Sequence, residues 1–100
     1  MDEPTRAAFE RLLKIARSDT GQSQRVADFV LAWWNATDLG GFDIADLFAV
    51  DRAIAEDMAT VFTWLSRLNT AQYPDAYRPQ IEEIIRLWRP DVWALASATA

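Results

Sequence analysis

Apolar residues recur at intervals of three and four along almost the whole chain, and this spacing limits the fold more than any other feature. Side chains that repeat in this way lie on one face of an α-helix, whereas a half-buried strand shows strict alternation. The sequence contains no alternating run and no Asn-Gly hairpin, so we predict no strand. We therefore predict an all-α fold, a single-domain bundle of five or six helices over residues 1–100 with helix 2 near its centre.

Proline, glycine and aspartate residues divide the pattern into six helical segments. Helix 1 is predicted to begin near Pro4, and Gly21 is expected to end it in a left-handed cap. Asp43 and Asp51 each precede a segment, where a carboxylate can accept a backbone N–H, so both are predicted N-caps. The predicted ranges are about 4–17, 23–35, 44–50, 52–68, 78–89 and 91–97.

Helix 2 has the widest apolar arc, roughly 200° at ~100° per residue. An arc this wide is typical of a helix that neighbours cover on two sides. We therefore predict that helix 2 is the most buried element, with Phe29, Val30 and Trp33 almost inaccessible, and that Trp33 and Trp34 pack against different helices. The apolar faces of the two following helices are also expected to point inward, and they include Ile44, Leu47, Phe48, Met58 and Phe62.

The residue types present restrict the chemistry that the chain can perform. Cysteine and histidine are absent, which removes thiolate chemistry, the commonest general base and the commonest metal ligand. The double glycine at 40–41 fits no phosphate-binding motif. We expect no metal, no cofactor and no enzymatic activity. The alternative is a small carboxylate- or metal-dependent enzyme built on Asp43, Asp46, Glu56 and Asp57.

The net charge of −5 is concentrated in the middle of the chain, where residues 26–66 contain seven acidic residues and only one basic residue. This distribution disfavours binding to nucleic-acid phosphates and favours a protein partner, in particular a basic one. Binding of nucleic acid through helix 1 and its exit is the lower-ranked alternative, using Arg6, Arg11, Lys14, Arg17 and Arg25. No membrane association is expected, because no stretch approaches the ~18–20 apolar residues of a membrane span, and the acidic start "MDEPTR" predicts a cytoplasmic protein.

The corner around Gly40–Gly41 is the predicted partner-binding surface, because loops between helices carry function more often than the helices do. Its residues would be Trp34, Thr37, Asp38, Phe42 and Asp46, with Asp57 as an additional polar anchor. An arginine of the partner could stack on the indole and pair with the carboxylates. The alternative is structural: Trp34 and Phe42 would close the end of the core, and Asp57 would form a salt bridge with an arginine such as Arg25 or Arg52.

Five tryptophans in 100 residues exceed what a small core needs, and tryptophan is enriched at interface hot spots. We therefore predict a non-enzymatic protein–protein interaction or regulatory protein. Its more specific form is an acidic inhibitor of a basic nucleic-acid-binding protein, and self-association into a homo-oligomer is also open.

Three stretches carry a resemblance to a known family: "DTGQSQRVADFVLAWWN" (19–35), "GGFDIADLFAVD" (40–51) and "IAEDM" (54–58). Together they resemble a family of small proteobacterial proteins of unknown function that are often found near mobile elements. The resemblance covers about residues 8–89. It implies a bacterial, cytoplasmic protein connected with plasmids, phages or integrated elements, and it implies no catalytic residue.

We predict that protein purified without added metal contains no stoichiometric metal ion, because its carboxylates are spaced for helix caps and not for a coordination shell. Elemental analysis by mass spectrometry tests this directly. A transition metal close to one equivalent per chain would contradict the prediction.

Overall fold

The computed structural model describes residues 1–99, and within them it contains five α-helices, two short 3₁₀ helices and no strand. The predicted all-α bundle is therefore confirmed; Ala100, the last residue of the predicted domain, lies outside the described residues. The helices are α1 (Glu3–Ala16), α2 (Gly21–Leu39), α3 (Arg52–Ser66), α4 (Arg78–Trp88) and α5 (Pro90–Thr99), and the 3₁₀ helices are Ile44–Ala49 and Asp75–Tyr77.

Helix α1 supplies the central layer of the core, because it packs against α2, α3 and α4. Phe9 is completely buried, and the rings of Trp33 and Tyr77 each meet it edge-on at 5.3 Å between centroids. This T-shaped arrangement suits aromatic quadrupoles. The other inward residues of α1 are Thr5, Ala8, Leu12, Leu13 and Ala16.

Helix α2 packs against both α1 and α4, so its wide apolar arc is covered on two sides as predicted. However, six of its 19 residues are buried, compared with six of the 14 in α1, so α1 is the more buried helix. Val30 is fully buried, but Phe29 and Trp33 remain partly exposed, and that part of the prediction is wrong. The reason is that α3 does not close over this side of α2.

The start of α2 also differs from the prediction. Thr20 accepts a hydrogen bond from the Ser23 backbone N–H at 3.0 Å, and the Ser23 hydroxyl accepts one from the Thr20 N–H at 3.3 Å. This reciprocal capping box satisfies two free donors at once and begins the helix at Gly21, two residues earlier than expected. Gly21 is therefore the first residue of α2, and the left-handed cap predicted there is absent.

The other end of α2 is kinked at Asn35, which adopts φ −168° and ψ 83°. The Asn35 side-chain oxygen accepts the Asp38 backbone N–H at 3.2 Å, so Asn35 caps one further turn that reaches Leu39. Gly40 then leaves the helix with φ 93°, a conformation that favours glycine. Arg89, directly after α4, donates to the Leu39 carbonyl at 2.8 Å and to Asp28 at 2.7 Å, so it fixes this end of α2.

The two predicted aspartate caps have different outcomes. Asp43 accepts the Ala45 backbone N–H at 2.9 Å and caps the first 3₁₀ helix, as predicted. Asp51 precedes α3 but makes no side-chain cap, so that prediction is wrong. Its carboxylate accepts from the Gln22 side chain at 3.3 Å, and its backbone N–H donates to the same side chain at 2.6 Å. Asp51 therefore ties the start of α3 to the start of α2.

A polar network joins the second 3₁₀ helix to α1. The Tyr77 hydroxyl donates to the Glu10 carboxylate at 2.6 Å, and Arg6 donates to the same oxygen at 2.9 Å. These two donors hold the pKa of Glu10 below its usual value. The pKa of Tyr77 is raised, first by burial and then by its hydrogen bond to Glu10.

We expect Phe9→Ala to lower the free energy of unfolding by about 3–5 kcal/mol, because it leaves a cavity where three helices meet. Phe29→Ala should cost only about 1–2 kcal/mol, because part of this ring is already in contact with solvent. Urea unfolding followed by circular dichroism measures both values. Equal losses for the two variants would contradict the core described above.

Candidate functional site: an apolar groove between α2 and α3

An open groove separates α2 from α3, because both helices pack on α1 but make few direct contacts with each other. Its volume is about 660 Å³. Helices α2 and α3 form two of its walls, and the segment around the first 3₁₀ helix forms the third. Among the twelve residues that line the groove, only the side chain of Thr63 and the indole of Trp33 carry an N–H or O–H group. The twelve are Phe29, Ala32, Trp33, Phe42, Ile44, Leu47, Ala55, Met58, Ala59, Phe62, Thr63 and Leu65.

Several contacts fix the walls of this groove. The Trp33 indole N–H donates to the Gln72 carbonyl at 2.9 Å, which orients the ring, and the Trp64 ring meets it at 6.4 Å between centroids. Where α2 meets the segment around the first 3₁₀ helix, Phe42 packs edge-on against Phe29 at 5.3 Å between ring centroids. The groove is therefore bordered by aromatic rings with defined orientations.

Large apolar side chains around the groove are unusually exposed. Phe62 is 67% exposed, Ile44 is 74% exposed and the adjacent Phe48 is 93% exposed. The prediction that the apolar residues of these two helices point inward is therefore wrong for Phe62, Ile44, Leu47 and Phe48, whereas Met58 is buried as expected. The 3₁₀ helix contains no buried residue, because it lies along the outside of α2. Contiguous exposed apolar surface of this kind marks interaction sites in folded proteins.

A shallower pocket of about 280 Å³ continues the groove past the end of α3. The two share Ala32, Trp33 and Leu65, and the continuation is lined further by the loop that contains Gln72 and Tyr73. From Ala55 to Leu65 the main groove follows α3 for about 15 Å, at ~1.5 Å per residue. The main groove is therefore elongated along α3.

The six residues predicted to bind a partner contact different parts of the molecule. Phe42 lines the groove, and Asp46 lies beside it with a carboxylate oxygen 3.6 Å from Arg25. Thr37 and Asp38 are exposed on the last turn of α2, where Asp38 hydrogen-bonds with Asn35. Trp34 lies under the guanidinium of Arg78 at 4.9 Å, so an arginine of the chain itself occupies the stacking position that a partner was expected to fill.

Asp57 forms a salt bridge, but its partner is neither Arg25 nor Arg52 as the structural alternative proposed. Arg11 donates to its two carboxylate oxygens at 2.8 and 2.9 Å. This bidentate pair joins α1 to α3, and it raises the pKa of Arg11. Asp57 thus faces α1.

The residues of the enzyme hypothesis and of the nucleic-acid hypothesis do not form a free binding site either. Among the described residues, no group of three or more acidic side chains is placed to hold a metal ion. Four of the five cations in the nucleic-acid hypothesis already contact carboxylates: Arg6, Arg11, Arg17 and Arg25. Phosphate groups would have to compete with these internal partners.

The α3 wall of the groove was not predicted as a binding site, although the sequence contains a signal for it. Ala55, Ala59 and Phe62 are spaced by four and three residues, so they form a second apolar stripe. This stripe is rotated away from the core stripe of Ile54, Met58 and Val61 by ~100° per residue. A helix with two apolar stripes needs two partners, and here α1 supplies only one of them.

Residues 6–89 match the family described as "Family of unknown function (DUF7673)", and the chain belongs to that family. No curated protein and no solved structure matched the chain. Within residues 1–99, no helix combines the length and the apolar character needed to cross a membrane.

We expect Phe62→Ser to reduce the fluorescence of a dye that binds apolar surfaces, such as anilinonaphthalene sulfonate, because it removes a wall of the groove. The free energy of unfolding should change by less than about 1 kcal/mol, because most of the ring is exposed. Leu87→Ser is the matched control, since Leu87 is an exposed apolar residue on α4. Equal dye binding by both variants would show that the groove is closed in solution.

Proposed function

We propose that the protein is a protein-interaction module and that the groove between α2 and α3 is its docking surface. The observation that carries this proposal is the continuous apolar lining of the groove, with Ile44 and Phe62 exposed to solvent at its edge. Burying such surface against a partner contributes roughly 25 cal/mol per Å². An aromatic residue in an apolar pocket is also the usual form of an interface hot spot.

The composition of the groove favours binding over catalysis. An active site needs several positioned polar groups to stabilise charge and transfer protons, whereas the groove offers the Thr63 hydroxyl and an indole N–H that is already bonded to Gln72. The groove also lacks the convergent polar groups that orient most small ligands. A non-enzymatic role therefore fits it best.

Two finer predictions remain part of this proposal. An inhibitor of a basic nucleic-acid-binding protein would use the groove together with the acidic residues of the chain's middle. The sequence resemblance implies a proteobacterial origin and a connection with mobile elements. Such a partner would then be encoded on a plasmid, a phage or an integrated element.

We expect a photo-crosslinking phenylalanine analogue at position 62 to form an adduct with a discrete protein in cells of the native host. The same analogue at position 87 is the control, because both positions carry exposed apolar residues and only Phe62 lines the groove. Adducts are detected by gel shift and identified by mass spectrometry. No adduct at position 62, or the same adducts at both positions, would overturn the proposal.

A further inference from the structure

We infer that the groove accepts an amphipathic helix from a partner protein, and that lysine or arginine residues flank the apolar face of that helix. This inference rests on the proposed function and adds the form and the charge of the occupant. Three features of the groove support it: its helical walls, its length and the acidic residues next to its lining residues.

The walls of the groove favour a helix over an extended peptide. An extended peptide that binds through backbone hydrogen bonds adds a strand to a sheet edge, and residues 1–99 contain no strand. The backbone groups of α2 and α3 are hydrogen-bonded within their own helices, apart from their ends. Affinity must therefore come from side chains, as when the apolar face of a helix lies in an apolar groove.

The length of the groove indicates how much helix it can hold. The 15 Å or so between Ala55 and Leu65 corresponds to about ten residues of a bound helix, which present apolar side chains at positions i, i+3, i+4 and i+7. The continuation towards Tyr73 adds a further volume of about 280 Å³. The buried Met58 lies beneath the groove as part of its floor.

Two exposed acidic residues are sequence neighbours of groove-lining residues, one on the 3₁₀ segment and one on α3. Asp43 lies between the lining residues Phe42 and Ile44, and Glu56 directly follows the lining residue Ala55. Both are exposed, and neither forms an ion pair within the part of the chain that the structure describes. By contrast, Asp28, Asp46 and Asp57 are each paired with an arginine of the chain itself.

This charge distribution favours a basic partner over a second copy of the chain as the occupant of the groove. If two grooves faced each other, the acidic residues of both copies would be brought together, and like charges in an interface oppose binding. Three of the seven acidic residues in segment 26–66 are paired with arginines of the chain. Arg52, the only basic residue of the segment, cannot by itself compensate for the other four. Lysine or arginine on a partner helix would instead pair with Asp43 and Glu56.

The test is selection from a displayed library of amphipathic helices of about 16 residues, just above the length at which isolated helices become stable. Their apolar face varies among Leu, Ile, Met and Phe, and each flanking position is either lysine or glutamate. We expect lysine to exceed glutamate at the flanking positions of bound helices by about tenfold, which corresponds to about 1.4 kcal/mol. The preference should weaken as salt rises, because exposed charges are screened.

Two variants separate the apolar contribution from the charge contribution. Phe62→Ser should remove the selection of helices altogether. The double variant Asp43→Asn with Glu56→Gln should keep the selection but lose the preference for lysine, and asparagine can still cap the 3₁₀ helix. Leu87→Ser is the control, which should leave both the selection of helices and the preference for lysine unchanged. Circular dichroism verifies that every variant is folded.

The outcomes distinguish this inference from the proposed function on which it rests. Helices selected through Phe62 without a preference for lysine would overturn the basic partner and leave the docking groove intact. No selection would overturn the helical occupant, while an adduct at position 62 would still support the docking groove. Selection that survives Phe62→Ser would overturn both. A dimer in sedimentation that Phe62→Ser dissociates, or a small apolar molecule retained in native mass spectrometry, would overturn the inference in favour of that occupant.

Discussion

The packing of α1 against three other helices is the interaction on which the rest of the structure depends. Phe9 occupies the middle of this contact and meets aromatic rings from α2 and from the second 3₁₀ helix. Because α2 and α3 each find their main partner in α1, neither needs the other to bury its core stripe. The groove between them is a direct consequence. The Arg11–Asp57 pair strengthens this arrangement by holding α3 on α1.

The third wall of the groove depends on side-chain contacts, because the first 3₁₀ helix has no buried residue of its own. Three contacts fix the segment from 42 to 51 along α2, each about one turn of α2 from the next: Phe42 with Phe29, Asp46 with Arg25, and Asp51 with Gln22. Arg89 fixes the turn before this segment through the Leu39 carbonyl. Ile44 and Leu47 are thereby held at the mouth of the groove without being enclosed.

The fold could be predicted from the sequence because helix formation depends on local spacing and on local stop signals. The spacing of apolar residues located every α-helix, and the position of Asp43 predicted its cap. One failure is local: the reciprocal cap between Thr20 and Ser23 begins α2 at Gly21, where a left-handed cap was predicted. Other failures involve residues that are distant in the sequence. Gln22 competes for Asp51 across 29 positions, and Arg11 reaches Asp57 across 46. No pattern within one helix contains that information. The same limit applies to the groove, because an apolar stripe indicates that a partner is needed but not whether the chain itself provides it.

The exposed stripe on α3 is therefore informative about function in a way that the buried stripes are not. Burying a large apolar side chain is worth roughly 1.5–3 kcal/mol, and the chain forgoes much of this at Phe62, Ile44 and Phe48. That loss is a considerable part of the roughly 5–15 kcal/mol by which domains of this size are stable. A partner that covers these side chains recovers it. The groove is partly preformed by oriented rings, so less of the recovered free energy is spent on ordering it.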